Sequence, residues 1–468
     1  MQISPFLKSS FKSIILCAIL CTTASAKEID TLLADQLQTT LEVQQAKYKL
    51  VGAAAAVIIP GKGTWKGETG SSAQGQKLSS NMLFGVGSVT KTYTAAVIHQ
   101  LAEEGKLLLN DSLFTFLPAF ENIDTTIQIR QLLNHTSGIF NYTNHPDWAP
   151  SVNSDLYKIW QPEEIAATFV NKPDFKKGAG WKYSNTNYLL LGMIIQNVTG
   201  NKVSAEIRER LLKPNQLFNT YFDIEEKVPQ AQIAHNWTDI TGDGVRDDAT
   251  HIPREALNSM AWAAGTIMAT PEDIALWAQH LFKGNVLKPE SLTEMLKFRS
   301  LSLGATTGWG LGVSRQSANG KIYYGHGGKT FGYAADMEYS PSDSVSVGVV
   351  INQDADAEPV ALELLKTVKA SLATSVAEDE VLKNGSLSCT PQVSSGIMRI
   401  NYVLEKPANV QLSFYNAQGR EVMPLLKSWQ DAGSHEEFSN VANLPQGVYF
   451  MRLIADGKAQ TFPISVVK

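Results

Sequence analysis

The chain has 468 residues, of which 44% are hydrophobic and 18% charged, with a formal net charge of -5. That length leaves room for one large core and a smaller module, and the lack of long polar tracts excludes a largely disordered chain. A mildly acidic balance without a basic run argues against nucleic acid or an anionic membrane as partner.

At the N-terminus, Lys8 and Lys12 precede an apolar run from Ile14 to Cys21, and Ala24-Ser25-Ala26 follows as a small-residue cleavage site. This reads as a secretory signal over residues 1–26. The run is far shorter than the roughly 20 residues that span a bilayer, so an anchor is the weaker reading. Leu16 and Leu20 stand directly before Cys17 and Cys21, where a lipoprotein signal needs a small residue. Export would remove two of the three cysteines and leave Cys389 without a disulfide partner. Cys389 has no basic neighbour and reads as incidental.

Beyond Lys27 the apolar spacing of Ile29, Leu32, Leu33, Leu37 and Leu41 predicts an amphipathic helix to about Tyr48, followed by a strand over Val51–Ile59. Helical patterns recur over Thr90–Glu104, Glu163–Val170, Tyr188–Val198 and Pro271–Phe282, three of them closed by Gly105, Gly200 and Gly284. Strand-like runs return at Lys321–Tyr324, Ala334–Tyr339 and Val345–Ile351, before a helix from Pro359 to about Leu372. Strands at both ends with helices between them predict one α+β unit over residues 27–372, its sheet closed by distant segments. Residues 373–393 are rich in Ser, Thr, Glu, Gly and Pro and read as a linker. Short strand-like runs at Ile397–Leu404, Val410–Tyr415, Gly447–Ile454 and Thr461–Val467 predict a small all-β sandwich over residues 394–468.

Three segments carry candidate chemistry. In Phe84-Gly85-Val86-Gly87-Ser88-Val89-Thr90-Lys91 a glycine-containing turn runs into a helix, which puts Ser88 at the helix N-terminus with Lys91 one turn later. A serine hydroxyl needs a neighbouring base, and a lysine serves only if its pKa is lowered. The spacing alone is uninformative, since Ser9 and Lys12 repeat it inside the signal. Taken alone, Ser88 also reads as a helix cap and Lys91 as a solvated residue. Tyr183-Ser184-Asn185 supplies a phenol to share the lysine proton and an amide to orient it, with Tyr142-Thr143-Asn144 as a competing candidate. Tyr324-Gly325-His326-Gly327-Gly328-Lys329 joins two strand-like runs, with glycines that let another backbone approach. Separately, Asp239–Asp248 echoes a calcium loop, but Thr250 stands where a bidentate glutamate belongs, and a surface loop is the stronger reading.

In this order the three motifs resemble the serine β-lactamase and penicillin-recognising hydrolase superfamily, in particular its class C, D,D-carboxypeptidase, D-aminopeptidase and esterase branch. Gln131–Ile139, Ala263-Ala264-Gly265-Thr266 and Gly308-Trp309-Gly310-Leu311-Gly312 agree with it. The resemblance implies a β-lactamase-like fold, an antiparallel sheet flanked by helices with a helical subdomain. It implies Ser88 as the acylated nucleophile, Lys91 and Tyr183 as the proton-transfer pair, Asn185 as their orienting residue, and the N–H groups of Ser88 and Lys329 as the oxyanion hole. It selects Tyr183 over Tyr142 and requires no metal or cofactor.

One departure bears on substrate. His326-Gly327-Gly328 stands where typical β-lactamases carry Lys-Thr-Gly, whose lysine and threonine help to bind a carboxylate. A histidine largely neutral at pH 7 and a glycine without a hydroxyl weaken that binding, although Lys329 compensates in part. The expectation is therefore a short ester, a D-amino-acid peptide or a peptidoglycan-related substrate ahead of a β-lactam or a D,D-carboxypeptidase substrate. A catalytically silent peptidoglycan- or β-lactam-binding protein is the rival of another class.

The tail resembles the C-terminal sorting domain of type IX secretion, on Asn416-Ala417-Gln418-Gly419-Arg420-Glu421-Val422 and Leu444-Pro445-Gln446-Gly447-Val448-Tyr449-Phe450. That implies the type IX machinery as a partner and a secreted or cell-surface location in a Gram-negative bacterium, reached through the periplasm. A generic adhesive or carbohydrate-binding sandwich is the alternative.

Overall fold

A computed structural model of the chain describes residues 29–466, apart from 319, 384–387, 395–396, 405, 417–418, 442–443, 446 and 456. The signal reading over 1–26 lies outside the described residues, as do Ala417, Gln418 and Gln446 of the tail motifs. Two compact units emerge, residues 1–364 and 365–468.

The first unit is built on a nine-stranded antiparallel sheet. From edge to edge its strands are Gln76–Lys77, Gly63–Ala73, Gly52–Ile59, Val345–Ile351, Tyr333–Ser340, Lys321–Thr330, Ser314–Ala318, Thr306–Trp309 and Arg299–Leu303. N-terminal strands thus complete a sheet whose other members come from the end of the unit, as the alternation of strands and helices predicts. The central strands are buried on both faces, which is why Gly-Ala-Ala-Ala-Ala-Val-Ile-Ile and Val-Ser-Val-Gly-Val-Val-Ile read as nearly unbroken apolar runs.

Helix Thr31–Tyr48 lies against Gly52–Ile59 and Gly63–Ala73, and helix Pro271–Phe282 against the centre of the sheet. A Cβ on Gly348 would sit 2.3 Å from Pro271 O, so the glycine sets how closely that second helix approaches. Helices Thr90–Glu103 and Asn185–Thr199 pack together in the helical part, with Leu189, Leu190, Ile194, Val97 and Ile98 fully buried. Burying such side chains contributes about 1.5–3 kcal/mol each.

Two boundaries differ from the sequence reading. The third motif does not join two strands: Lys321–Thr330 is one strand running through Gly325-His326-Gly327-Gly328. Backbone pairing with Tyr333–Ser340 needs no side chain, and the glycines leave room for what stands opposite. Of the expected linker 373–393, residues 373–383 continue helix Glu358–Lys383 through good helix formers and 388–393 belong to strand Ser388–Ser394, while 384–387 lie outside the described residues. Asp239–Asp248 turns its carboxylates onto its own backbone: Asp239 accepts from the N–H groups of Gly242, Asp243 and Gly244, and Asp247 from Ile240. Among the described residues no His, Cys, Asp and Glu group is placed to hold a metal ion.

The second unit is a sandwich of two antiparallel sheets. One holds Ser388–Ser394, Ile397–Leu404 and Gly433–Asn440; the other holds Glu421–Gln430, Ala408–Asn416, Gly447–Ala455 and Lys458–Val466. Alternate residues form its core, among them Met398, Ile400 and Tyr402 from one sheet and Leu412, Phe414 and Leu453 from the other. Cys389 lies in the first of these strands.

Candidate active site

Ser88 occupies a short 3-10 turn, Gly87–Val89, that leads directly into helix Thr90–Glu103. Gly87 has φ 49°, a left-handed conformation that a side chain would strain. Nearly every residue of the helix is buried, Lys91 completely, so the solvated-lysine reading does not hold. Two of its threonines are bonded to neighbouring elements: Thr94 Oγ1 donates to Ala263 O at 2.8 Å and Trp277 Nε1 to Thr92 Oγ1 at 2.7 Å.

The Lys91 amine reaches three acceptors: Ser88 Oγ at 2.9 Å, Asn185 Oδ1 at 2.8 Å and Ala264 O at 2.6 Å. All three are neutral. Burial without a compensating charge holds the lysine pKa well below its ordinary value and favours the free amine. Asn185, the first residue of helix Asn185–Thr199, is held by its own N–H to Asn141 Oδ1 at 3.0 Å. Ala264 follows Trp262, which has φ 36° in a buried position; the surrounding packing holds this strained turn and aims the Ala264 carbonyl at the lysine.

Tyr183 stands over the same point, its ring centroid 5.0 Å from Lys91 Nζ. Its hydroxyl is buried with no well-formed hydrogen bond; burial pushes its pKa up, and the nearby Ser88 hydroxyl offsets part of that rise. The tyrosine belongs to an aromatic group with His135 at 4.4 Å and Trp309 at 5.6 Å between ring centroids. Tyr142 is engaged elsewhere, donating its buried hydroxyl to Met260 O at 2.6 Å.

His326 and Gly328 lie on the strand that passes this turn. A Cβ on Gly328 would be 1.9 Å from Val86 O and 2.9 Å from Ser88 N, and one on Gly87 would be 2.6 Å from Lys329 N. The backbones therefore touch where only glycine fits, with Ser88 N beside Gly328 and Lys329 N beside Gly87. The Lys329 side chain is exposed and pairs with Asp356 at 2.5 Å. His326 is buried; burial, aided by Lys91 whenever that amine is protonated, lowers its pKa to about 3, so the ring is neutral. Its Nδ1 lies 2.5 Å from Gly327 O.

Two cavities flank Ser88. One, of about 350 Å³, is lined by Tyr183, Trp309, Gln316, His326 and Asp336. The other, also about 350 Å³, is lined by Asn185, Trp148, Leu257, Lys329 and Phe331; it shares residues with an apolar chamber of about 380 Å³ reaching Val152 and Ile233. Sequence reasoning gave no role to His135, Trp309, Ala264 or Asp336. The first three stood inside segments already recognised as agreeing with the resemblance; Asp336 carried no signal.

A serine at a helix start, a buried lysine within hydrogen-bond reach and a tyrosine over both, set beside an antiparallel sheet, define a serine hydrolase of the penicillin-recognising kind. The chain belongs to the Beta-lactamase family, whose profile matches residues 35–370, and residues 391–467 match the Secretion system C-terminal sorting domain. That domain marks the chain for secretion through the type IX system. Among curated relatives, Protein flp of Staphylococcus aureus (strain MW2) is 26% identical, covering 74% of this chain and 67% of its own length. A D-aminopeptidase of Brucella anthropi is 25% identical, covering 74% and 65%. Among solved structures, the D-amino acid amidase from Ochrobactrum anthropi SV3, complexed with L-phenylalanine amide, superimposes with a TM-score of 0.65 at 26% identity, covering 72% of this chain and 99% of that one.

Proposed function

We propose that the chain is an exported hydrolase that cleaves an ester or amide, such as a short ester, a D-amino-acid peptide or a peptidoglycan-related compound, through an acyl-enzyme on Ser88. The buried Lys91 amine, 2.9 Å from Ser88 Oγ and surrounded by neutral acceptors, carries this reading. A free amine accepts the serine proton as Oγ bonds to the substrate carbonyl carbon, and the N–H groups of Ser88 and Lys329 hold the resulting oxyanion. Tyr183, whose raised pKa keeps it protonated, gives its proton to the departing alcohol or amine as the carbonyl–leaving-group bond breaks, and regains one from the Lys91 ammonium. Water then attacks the acyl carbon and releases the acid, returning the serine proton. Asn185 positions the lysine throughout.

The D-aminopeptidase and D-amino acid amidase relatives support an amide substrate. The neutral His326 speaks against a β-lactam or a free C-terminal carboxylate, each of which calls for a cation at that place. Residues 1–26 serve as the signal for a periplasmic intermediate, and the sorting domain directs the outer-membrane step. A fluorophosphonate probe tests the nucleophile: wild type is labelled and Ser88→Ala is not. Unlabelled wild type, or equal labelling of both, favours the silent binding protein instead.

A further inference from the structure

The two cavities beside Ser88 differ in the group that lines them. Tyr183 lines the cavity with His326 and Asp336 and is absent from the lining of the other. The acid that protonates a departing atom must stand on the leaving-group side. With Ser88 as nucleophile and Tyr183 as acid, the reading on which this inference rests, the Tyr183 cavity receives the leaving group and the apolar chamber the acyl side chain.

Asp336 lines that cavity, and Glu338, two residues further along the same strand, does not. Asp336 and Glu338 lie two apart on strand Tyr333–Ser340, on one face, and both are fully buried. They stand in register opposite Gly327 and Gly325, where a Cβ would lie 3.3 Å from Asp336 Oδ1 and 2.9 Å from Glu338 Oε2. The glycines of the third motif therefore open space for two carboxyl groups. None of the four carboxyl oxygens has a hydrogen-bond partner. Glu358 and Asp356 add two further carboxyls at the rim; Lys329 is the one Lys or Arg among the lining residues and is taken up by Asp356.

Two buried side chains of other types line the same cavity with free acceptors: Gln316 through Oε1, and His326 through Nε2, since its Nδ1 faces Gly327 O. Against these stands one free buried donor besides the Tyr183 hydroxyl, the Trp309 indole N–H. Unmatched buried acceptors are costly, and a ligand bearing several N–H donors and a positive charge satisfies them. The Trp309 and Tyr183 rings add π-faces suited to a cation. An ammonium supplies both the charge and several N–H donors.

We propose that this cavity is a leaving-group subsite for an ammonium, so that the preferred substrates are amides or esters whose leaving group carries a positively charged amine, with Asp336 and Glu358 as the recognising residues. A bound ammonium favours the ionised form of Asp336, which burial otherwise keeps protonated, whereas a leaving group ending in a carboxylate brings no N–H donor to these oxygens.

The test uses the full chain and three matched D-alanine amides, formed with 1,4-diaminobutane, n-butylamine and 4-aminobutyrate, which present a cation, no charge and an anion. The expected order of kcat/KM is cation, neutral, anion, with at least tenfold between first and last. Asp336→Asn and Glu358→Gln should each shrink that ratio at least threefold. Equal rates, a preference for the anion, or an unaltered ratio in both variants overturns the inference. Calorimetry with the acetamides of the same three amines reads the subsite without turnover and demands the same order of affinity. Fluorophosphonate labelling of Ser88 separates the two readings: a labelled enzyme without charge preference fails here alone, whereas an unlabelled one that still prefers the cationic acetamide overturns only the hydrolase.

Discussion

Strand Tyr333–Ser340 of the hydrolase unit is buried from end to end, yet Asp336 and Glu338 stand side by side on one face of it without hydrogen-bond partners. Strand Ala408–Asn416 of the tail follows the opposite rule: Ala408, Val410, Leu412 and Phe414 face the core, Asn409 and Gln411 do not, and Ser413 is the exception. A large core tolerates several unmatched polar groups because many apolar side chains offset them, whereas a small sandwich has little margin. Polar burial in the first unit therefore marks chemistry, and apolar alternation in the second marks stability.

Substitutions should divide along that line. Ser88→Ala and Lys91→Ala are expected to lower turnover of any substrate by a factor of about 10³ or more while leaving the unfolding midpoint close to wild type or higher, since Lys91 is a desolvated amine whose removal relieves burial cost. Steady-state rates and urea unfolding check this together; a large loss of stability would make these residues structural. Phe414→Ala should do the reverse, destabilising the tail by about 3–5 kcal/mol while Ser88 labels at its wild-type rate. Gly328→Ala lies between. Its Cβ cannot fit 1.9 Å from Val86 O, so the strand must shift and the Lys329 N–H leave its place, at a cost of about 10²–10³ in kcat. Unchanged kcat would remove that N–H from the oxyanion hole.

Chain order and residue type made much of this legible. Ser88, Lys91, Tyr183 and Asn185 converge although they lie on different elements, because each opens a helix or immediately precedes one and helix starts are readable. Pro271–Phe282 and Val345–Ile351 have the bounds their apolar periodicity predicts. Strands Arg299–Leu303, Glu421–Gln430 and Gly433–Asn440 are not readable in the sequence: the first is short, the second carries apolar residues without strict alternation, and the third is mostly polar, and all three are largely exposed. The run through Gly325-His326-Gly327-Gly328 reads as a break because glycine has low strand propensity. Its reason for being there, the carboxyls of Asp336 and Glu338, comes from a neighbouring strand that local reading cannot pair with it.

Those two carboxyls give the most direct test of the contrast between the units. Burial raises the pKa of both well above the ordinary range; for Asp336 the Glu358 charge adds to the rise, and for Glu338 the Asp336 and Glu358 charges do. In the unfolded chain they ionise near pH 4. Above that pH the unfolded state has lost protons that the folded state still holds, so stability falls as pH rises, until the folded groups ionise too. The slope is at most about 1.4 kcal/mol per pH unit for each proton retained. Urea unfolding followed by tryptophan fluorescence between pH 5 and pH 8 should show this decline for the hydrolase unit, and Asp336→Asn with Glu338→Gln should flatten it. A slope unchanged in the double variant would mean that both groups are already ionised in the folded protein, and that the cavity beside Tyr183 holds fixed negative charge rather than protons a bound cation must displace.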